Sequence, residues 1–366
     1  MRKIFLLLIS LLSIFIALPA HADTPVIRII DTPHTTFDGS FRDNDLVMSL
    51  TPEGKLGKKL FNNNVAATWV IDAALLDEVI DMSDGYTFNG EEDPLGQSVA
   101  SIWLQQLKLA TIGSPIVALP YGNPDASLAR RLSPSELKFY TALGKSKVEA
   151  FFGRPVISQN GWGAGRSPLS SEFQWLYKRN RNLVTGVGKV IDAPEVSLLR
   201  ARLSRVLTPT LNAKDRAYFS YQARDATNAM ANKLRVVAGR YQLTSENAKV
   251  PLTLINNFDT PTVVNLSLIP MNFRVQVPNF HDITIPAKSR IQISVPFTVV
   301  APGSTIVEAQ FMTSNGDLIG EVSRLNLSLT VIDKRVTWFT SGAAVLLFLG
   351  AVAQSVRRIR RSRHEK

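Results

Sequence analysis

Two long apolar runs stand at the ends of the chain, and between them the hydrophobic pattern changes character once. From about residue 23 to 232, short apolar runs alternate with segments of helical period. VIRII (26–30) ends at Asp31, and AATWVI (66–71) ends at Asp72. PIVALP (115–120), PVISQ (155–159) and LVTGVGKVI (183–191) are further runs of strand length. TPEGKLGKKLF (51–61) reads as a short helix, with Thr51 as cap and Pro52 at the first helical position. SVASIWLQQLKLA (98–110) places Val99, Trp103, Leu107 and Ala110 on one helical face. Ser171-Glu172-Phe173-Gln174 opens another helix in the manner of a capping box. Strand alternating with helix predicts an α/β domain with a mainly parallel sheet. About five or six strands are expected, fewer than the eight of a closed barrel, so the prediction is an incomplete (β/α) barrel.

From about residue 233 to 333 the pattern becomes almost wholly β. VPLTLINN, TVVNLSLIP, DITIP, RIQISVPFTVV, STIVEAQFMTS and RLNLSLTVI are strand-like, separated by the turn signals NNFDTP, PAKS, APGS and SNGD. Apolar and polar residues alternate in VNLSLI and LNLSLTVI, as half-buried strands require. The expected fold is an immunoglobulin-like β-sandwich. Asn265-Leu-Ser267 and Asn326-Leu-Ser328 match the glycosylation acceptor pattern. They are read here as solvent-side positions of alternating strands.

The terminal runs change the picture of location. Arg2 and Lys3, an apolar core Ile4–Ala17 and the small-residue site Ala20-His21-Ala22 form a secretory signal peptide over 1–22. Val336–Val356 carries no charge and has about the length needed to cross a bilayer. The tail 357–366, RRIRRSRHEK, is basic, which places it in the cytoplasm by the positive-inside rule. The expectation is a single-pass, type I cell-membrane protein with its ectodomain outside. The formal net charge of +11 then belongs largely to the targeting and anchoring ends. No basic stripe with interleaved aromatics is present, so nucleic acid is set aside as a partner. The chain has no cysteine, which excludes disulfides, thiol nucleophiles and Cys-ligated metals.

The candidate chemistry lies where the predicted strands end. Asp-Ala recurs at three βα junctions: Asp72-Ala73, Asp125-Ala126 and Asp192-Ala193. An Asp there caps the following helix, and Asp192 has Glu195 three residues on. The same rim is where ligand sites of parallel α/β folds sit. Two carboxylates about 5 to 9 Å apart could hydrolyse a glycosidic bond. Capping is the commoner use, so Asp72, Asp125 and Asp192 are catalytic candidates only beside that reading. Asp125 stands out because Tyr121, Gly122 and Asn123 precede it in a shaped loop. Gln159, Asn160 and Trp162, in the loop NGWGAG, are further ligand candidates, Trp162 as a surface on which a sugar ring could stack or as a plug for the domain end. The expected ectodomain has two histidines, His34 and His281, in different regions, and His34 reads as a loop residue. No metal-ligating cluster, nucleophile elbow, P-loop or dinucleotide fingerprint is present, so no cofactor is expected.

TWVIDAALLDEV (68–79), IVALPYGNPDASLA (116–129), the sandwich and the terminal span with its basic tail together resemble an uncharacterised actinobacterial family of membrane-anchored envelope proteins. Its members are often encoded beside the lipid II flippase of peptidoglycan synthesis. The resemblance implies a degenerate barrel of the glycoside hydrolase and deacetylase kind followed by immunoglobulin-like modules, and it brings no catalytic residues. The expected function is a non-catalytic accessory or glycan-binding factor in cell-envelope assembly. Its partner would be a cell-wall glycan, a lipid-linked precursor or a membrane protein of envelope assembly. The alternative is a carbohydrate-active enzyme using the rim aspartates.

Overall fold

The computed structural model describes residues 25–62, 66–158, 165–330 and 334–362. The signal sequence predicted over 1–22 lies outside them. The chain divides into two compact units, one of Met1–Lys178 with Ala201–Ala223, the other of Arg179–Arg200 with Arg224–Lys366.

The first unit is built on an open parallel sheet of four strands. β1 (Val26–Ile29), β2 (Thr68–Ile71), β5 (Ile116–Ala118) and β6 (Ile157–Ser158) are ordered β1-β2-β5-β6, while β3 (Thr87–Phe88) and β4 (Glu91–Glu92) make a separate hairpin. Val70, Ile71, Val117 and Ala118 are buried, the near-continuous apolar character of strands covered on both faces. Helices Ala73–Ser83, Pro94–Ala110 and Pro134–Phe152 supply the cover. Trp103 and Leu107 are fully buried on the predicted face of the second of these.

The expected incomplete (β/α) barrel is therefore corrected: among the described residues the sheet is open, with four strands and no pairing of β1 with β6. PVISQ pairs with β5 at Val117↔Ile157 and Ala118↔Ser158. The physical reason for the missing strands lies in a segment that folds otherwise. LVTGVGKVI is not a strand, because helix Ser171–Val187 runs through its first half. Leu176, Tyr177, Asn180, Val184 and Val187 are buried along that helix, so the 3.6-residue period outweighs local β propensity. TPEGKLGKKLF is helical only from Gly57 to Phe61.

The second unit holds two sheets, ordered β12-β10-β14-β15-β8 and β11-β13-β9-β7. Their strands are β7 (Leu234–Val236), β8 (Gly239–Leu243), β9 (Asn247–Asn256), β10 (Thr262–Pro270), β11 (Val275–Gln276), β12 (Phe280–Ile285), β13 (Ser289–Val299), β14 (Gly303–Met312) and β15 (Leu318–Leu329). All pairs are antiparallel except β15 with β8. Val250, Leu252, Leu254, Val295, Phe297, Val307, Ala309, Phe311, Leu325 and Leu327 are buried at alternate positions, which is the sandwich pattern. Asn326 and Ser328 face solvent as expected, but Asn265 and Ser267 do not. Asn265 is a buried bridge: its Oδ1 accepts the Asp282 N–H at 2.9 Å and its amide donates to the Thr313 carbonyl at 3.3 Å.

Lys334–Ser362 is one continuous helix. Among the described residues, however, no helix is long and apolar enough to cross a membrane. This corrects the predicted transmembrane helix.

Candidate functional site

Each parallel strand delivers its exit to one edge of the sheet. Asp31 stands just beyond β1, Asp72 directly after β2, and Leu119 to Asn123 after β5. Asp72 caps helix Ala73–Ser83: its Oδ1 accepts the Ala74 N–H at 3.0 Å. The same oxygen accepts the Gly122 N–H at 2.9 Å, which ties the exit of β2 to the exit of β5. Gly122 has φ +75°, and a Cβ there would strike the Ser204 hydroxyl, so the close approach requires glycine. Burial pushes the Asp72 carboxyl up to about 7; its two N–H partners pull the other way, and the Glu78 charge adds to the rise.

Asp31 is held differently. It accepts from Lys55 Nζ at 2.7 Å, Ser49 Oγ at 3.0 Å and the Thr32 N–H at 2.9 Å. Burial opposes its charge, but the Lys55 contact and the Thr32 N–H outweigh that and hold its carboxyl below the usual range.

Between them lies a network of buried charge that sequence reading passed over. Glu78 accepts the His34 and Thr35 N–H groups, the Thr35 hydroxyl at 2.8 Å, and the Arg205 guanidinium at 3.1 Å. Arg205 comes from the 3₁₀ turn Leu203–Leu207, and its Nη1 donates to the Thr35 hydroxyl at 2.7 Å and carbonyl at 3.0 Å. His34, read from sequence as a loop residue, is buried, with Nδ1 at 2.7 Å from Asp43. Burial disfavours its charge, yet the Asp43 hydrogen bond and the charges of Glu78, Asp43 and Asp31 raise its pKa above the ordinary value. One signal could have found Glu78. Leu75, Glu78, Val79 and Met82 share a helical face, so a carboxylate on an apolar stripe needed a buried partner.

Asp31, Asp72, Glu78, Gly122, Arg205 and Thr208 line a narrow cleft of about 10 Å³, room for about one water molecule. Among the described residues no three His, Asp or Glu are grouped to hold a metal.

The predicted candidates are not gathered in that cleft. Asp125 caps helix Ala126–Leu132, its Oδ1 accepting the Leu128 N–H at 3.0 Å and its Oδ2 the Ser167 N–H at 2.9 Å. Tyr121 is buried and donates to Asp77 at 3.1 Å; burial pushes its phenol up. Asn123 is buried at φ +44°, and its amide has no hydrogen-bond partner among the described residues. Asp192 is exposed and belongs to the second unit. It is not a cap: Pro194 takes the first helical position, so Ala193 receives the first helical N–H, from Val196 at 3.1 Å. Glu195 instead pairs with Lys233 at 2.7 Å. Gln159, Asn160 and Trp162 lie outside the described residues.

The second unit has a wider hollow of about 750 Å³ including its mouth, lined by Arg235, Thr253, Ile255, Arg290 and Ser323 among others. The strand registers set Arg235, Ile255 and Arg290 in one row across β7, β9 and β13.

The family match falls mostly on this second unit. Residues 180–364, half of the chain, match the Family of unknown function (DUF6049), and the chain belongs to that family. No curated protein matches it. Among solved structures it is similar to WR4, a Caenorhabditis elegans MSP family member, at 10% identity over 26% of this chain and 97% of that one, with a TM-score of 0.21. It is similar to a Salmonella alpha-2-macroglobulin at 13% identity over 26% of this chain and 7% of that one, TM-score 0.22. It is likewise similar to the Escherichia coli chaperone DraB at 13% identity over 26% of this chain and 54% of that one, TM-score 0.20. Likeness at this level carries no conclusion on ligand or activity.

Proposed function

We propose that the protein is a non-catalytic extracytoplasmic factor of cell-envelope assembly that binds a wall glycan or a lipid-linked precursor. The observation that carries this reading is the engagement of Asp125. Both its carboxylate oxygens accept backbone N–H groups, from Leu128 and Ser167, and the residue is buried. A buried carboxylate with a backbone N–H on each oxygen serves to tie the helix start to the segment at Ser167, a structural use that supports the non-catalytic reading. Asp72 is likewise a cap and a strand tie, and Asp192 belongs to the other unit. The hollow flanked by Arg235 and Arg290 offers the binding role a surface, since paired guanidinium groups suit carboxylate- or phosphate-bearing polymers. An actinobacterial envelope setting beside a lipid II flippase, implied by the sequence resemblance, agrees with an accessory role.

The test is co-sedimentation of the chain with purified peptidoglycan and capture on lipid-linked precursors, with mass spectrometry of the incubated substrates. Retention without new products is expected, and weaker retention for Arg235→Ala with Arg290→Ala. A product released from either substrate overturns the reading.

One observation favours the carbohydrate-active alternative. Asp72 and Asp31 line one cleft with their pKa values pushed in opposite directions, the arrangement of an acid beside a base. Under that reading turnover disappears in Asp72→Asn and survives Asp125→Asn.

A further inference from the structure

The end of the sandwich from which the chain departs is made of three loops, 244–247, 271–274 and 300–302. Strand register brings them together. Leu243 at the end of β8 pairs with Leu329, and Leu329 pairs with Gly303. The Val300 N–H donates to the Arg274 carbonyl at 2.8 Å, and the Met271 N–H donates to the Ile306 carbonyl at 2.9 Å. From this end Phe273, Met271 and Val300 project at 97%, 62% and 59% exposure. Hydrophobic side chains on a soluble loop gain nothing by such exposure, so a contiguous group of them marks a contact surface. The backbone beneath is fixed rather than slack. The Arg274 N–H donates to Asn272 Oδ1 at 3.1 Å, and its guanidinium donates to the Pro302 carbonyl.

Continuity along the chain decides what the surface meets. The apolar groups sit on the loops that join β10 to β11 and β13 to β14. From the same end the chain passes through Thr330 towards helix Lys334–Ser362. On that helix Val345, Leu346, Leu347, Phe348 and Leu349 are 56–76% exposed. Five consecutive positions go round the whole helix, wider than the stripe one protein groove covers. A basic sequence opening at Arg357 follows. Apolar tips, an apolar helical segment and adjacent cations are the combination that suits the interface of an anionic bilayer.

We propose that this end of the sandwich is a lipid-contact surface, with Phe273, Met271 and Val300 entering the interfacial layer of an anionic membrane. The contact is interfacial and requires no segment to span the bilayer. It holds whether or not the chain binds glycans.

The absence of cysteine permits a direct test in the full chain. Phe273→Cys carries a polarity-sensitive fluorophore, and Asn315→Cys carries the same label in the exposed turn at the opposite end of the sandwich. With phosphatidylglycerol vesicles, the label at 273 should brighten several-fold and be quenched by brominated acyl chains, while the label at 315 stays unchanged. The double variant Met271→Ser with Phe273→Ser should partition about tenfold more weakly, the loss expected for two interfacial apolar groups. Its melting curve should match wild type, because both side chains are exposed. The idea is overturned by a label at 273 that remains water-like while the chain sediments with the vesicles, by no sedimentation at all, or by brightening without lipid, which would make the surface a contact between copies.

Discussion

Arg205 and Glu78 meet at 3.1 Å with both side chains only 3% exposed, and the Thr35 hydroxyl joins them by donating to one and accepting from the other. The pair welds three segments distant in sequence: the loop after β1, the helix after β2, and the turn Leu203–Leu207. The charge network therefore stabilises the edge of the sheet where the cleft opens.

Removing one partner of this pair should be costly, because it leaves the other buried and uncompensated. We expect Arg205→Met or Glu78→Gln alone to lower stability by about 3–5 kcal/mol. Arg205→Met combined with Glu78→Gln should cost clearly less than the sum of the two. Urea unfolding of the four proteins measures this; strict additivity would show that the two residues are not coupled.

The pH dependence of stability should bear the mark of Asp72. Its carboxyl stands at about 7 in the fold against an ordinary value of 3.8. Between those values the folded chain keeps a proton that the unfolded chain has lost. Stability from this group is thus full below about pH 4 and declines as pH rises towards 7. At about 1.4 kcal/mol per unit the decline is on the order of 4 kcal/mol. His34, raised above 6.5, acts in the same direction: its contribution is present below 6.5 and lost as pH rises through its folded value. Asp31 and Asp43, both lowered, contribute above 3.8 and lose that contribution as pH falls. Asp72→Asn should flatten the pH 4–7 part of the profile in urea midpoints. An unchanged slope would remove Asp72 as its source.

The two candidate caps predict different losses. Asp125→Ala should cost about 1 kcal/mol for the cap and about 0.5–1.5 kcal/mol more for the lost bond to the half-buried Ser167 N–H. Asp192→Ala, exposed and outside the helix, should stay within about 0.5 kcal/mol of wild type. Thermal unfolding of both variants distinguishes them, and equal losses would contradict the assignment of Asp125 as a double tether.

Helix Pro134–Phe152 lies directly on the loop that follows β5. A methyl at Gly144 would run into the Leu119 carbonyl and the Tyr121 N–H. Gly144→Ala should therefore destabilise by about 1–3 kcal/mol, although alanine favours helix elsewhere. It should also disturb the Gly122–Asp72 bond one residue beyond Tyr121, visible as a shift in the pH profile described above. A stabilising Gly144→Ala would mean that the helix can move off the strand.

Local pattern settled much of this protein. The β-rich runs between turn signals set out β10 and β13 almost to the residue, and in β13 burial alternates as a half-buried strand requires, whereas β10 is buried on both faces at Asn265 and Ser267. Period and cap signals likewise placed helix Pro94–Ala110 and the caps Asp72 and Asp125. Each of these is an interaction between residues a few positions apart, which is the range over which sequence speaks. The tertiary structure alone decided the rest. Whether the strands close into a barrel depends on how many find partners, and the described sheet is an open one of four strands. LVTGVGKVI became helix because Val184 and Val187 had a core to face. The meeting of Glu78, Arg205 and Thr35 spans 170 positions between Thr35 and Arg205, and no local period can announce a contact at that separation. The three apolar loop tips likewise share one end of the sandwich only because strand register carries them there.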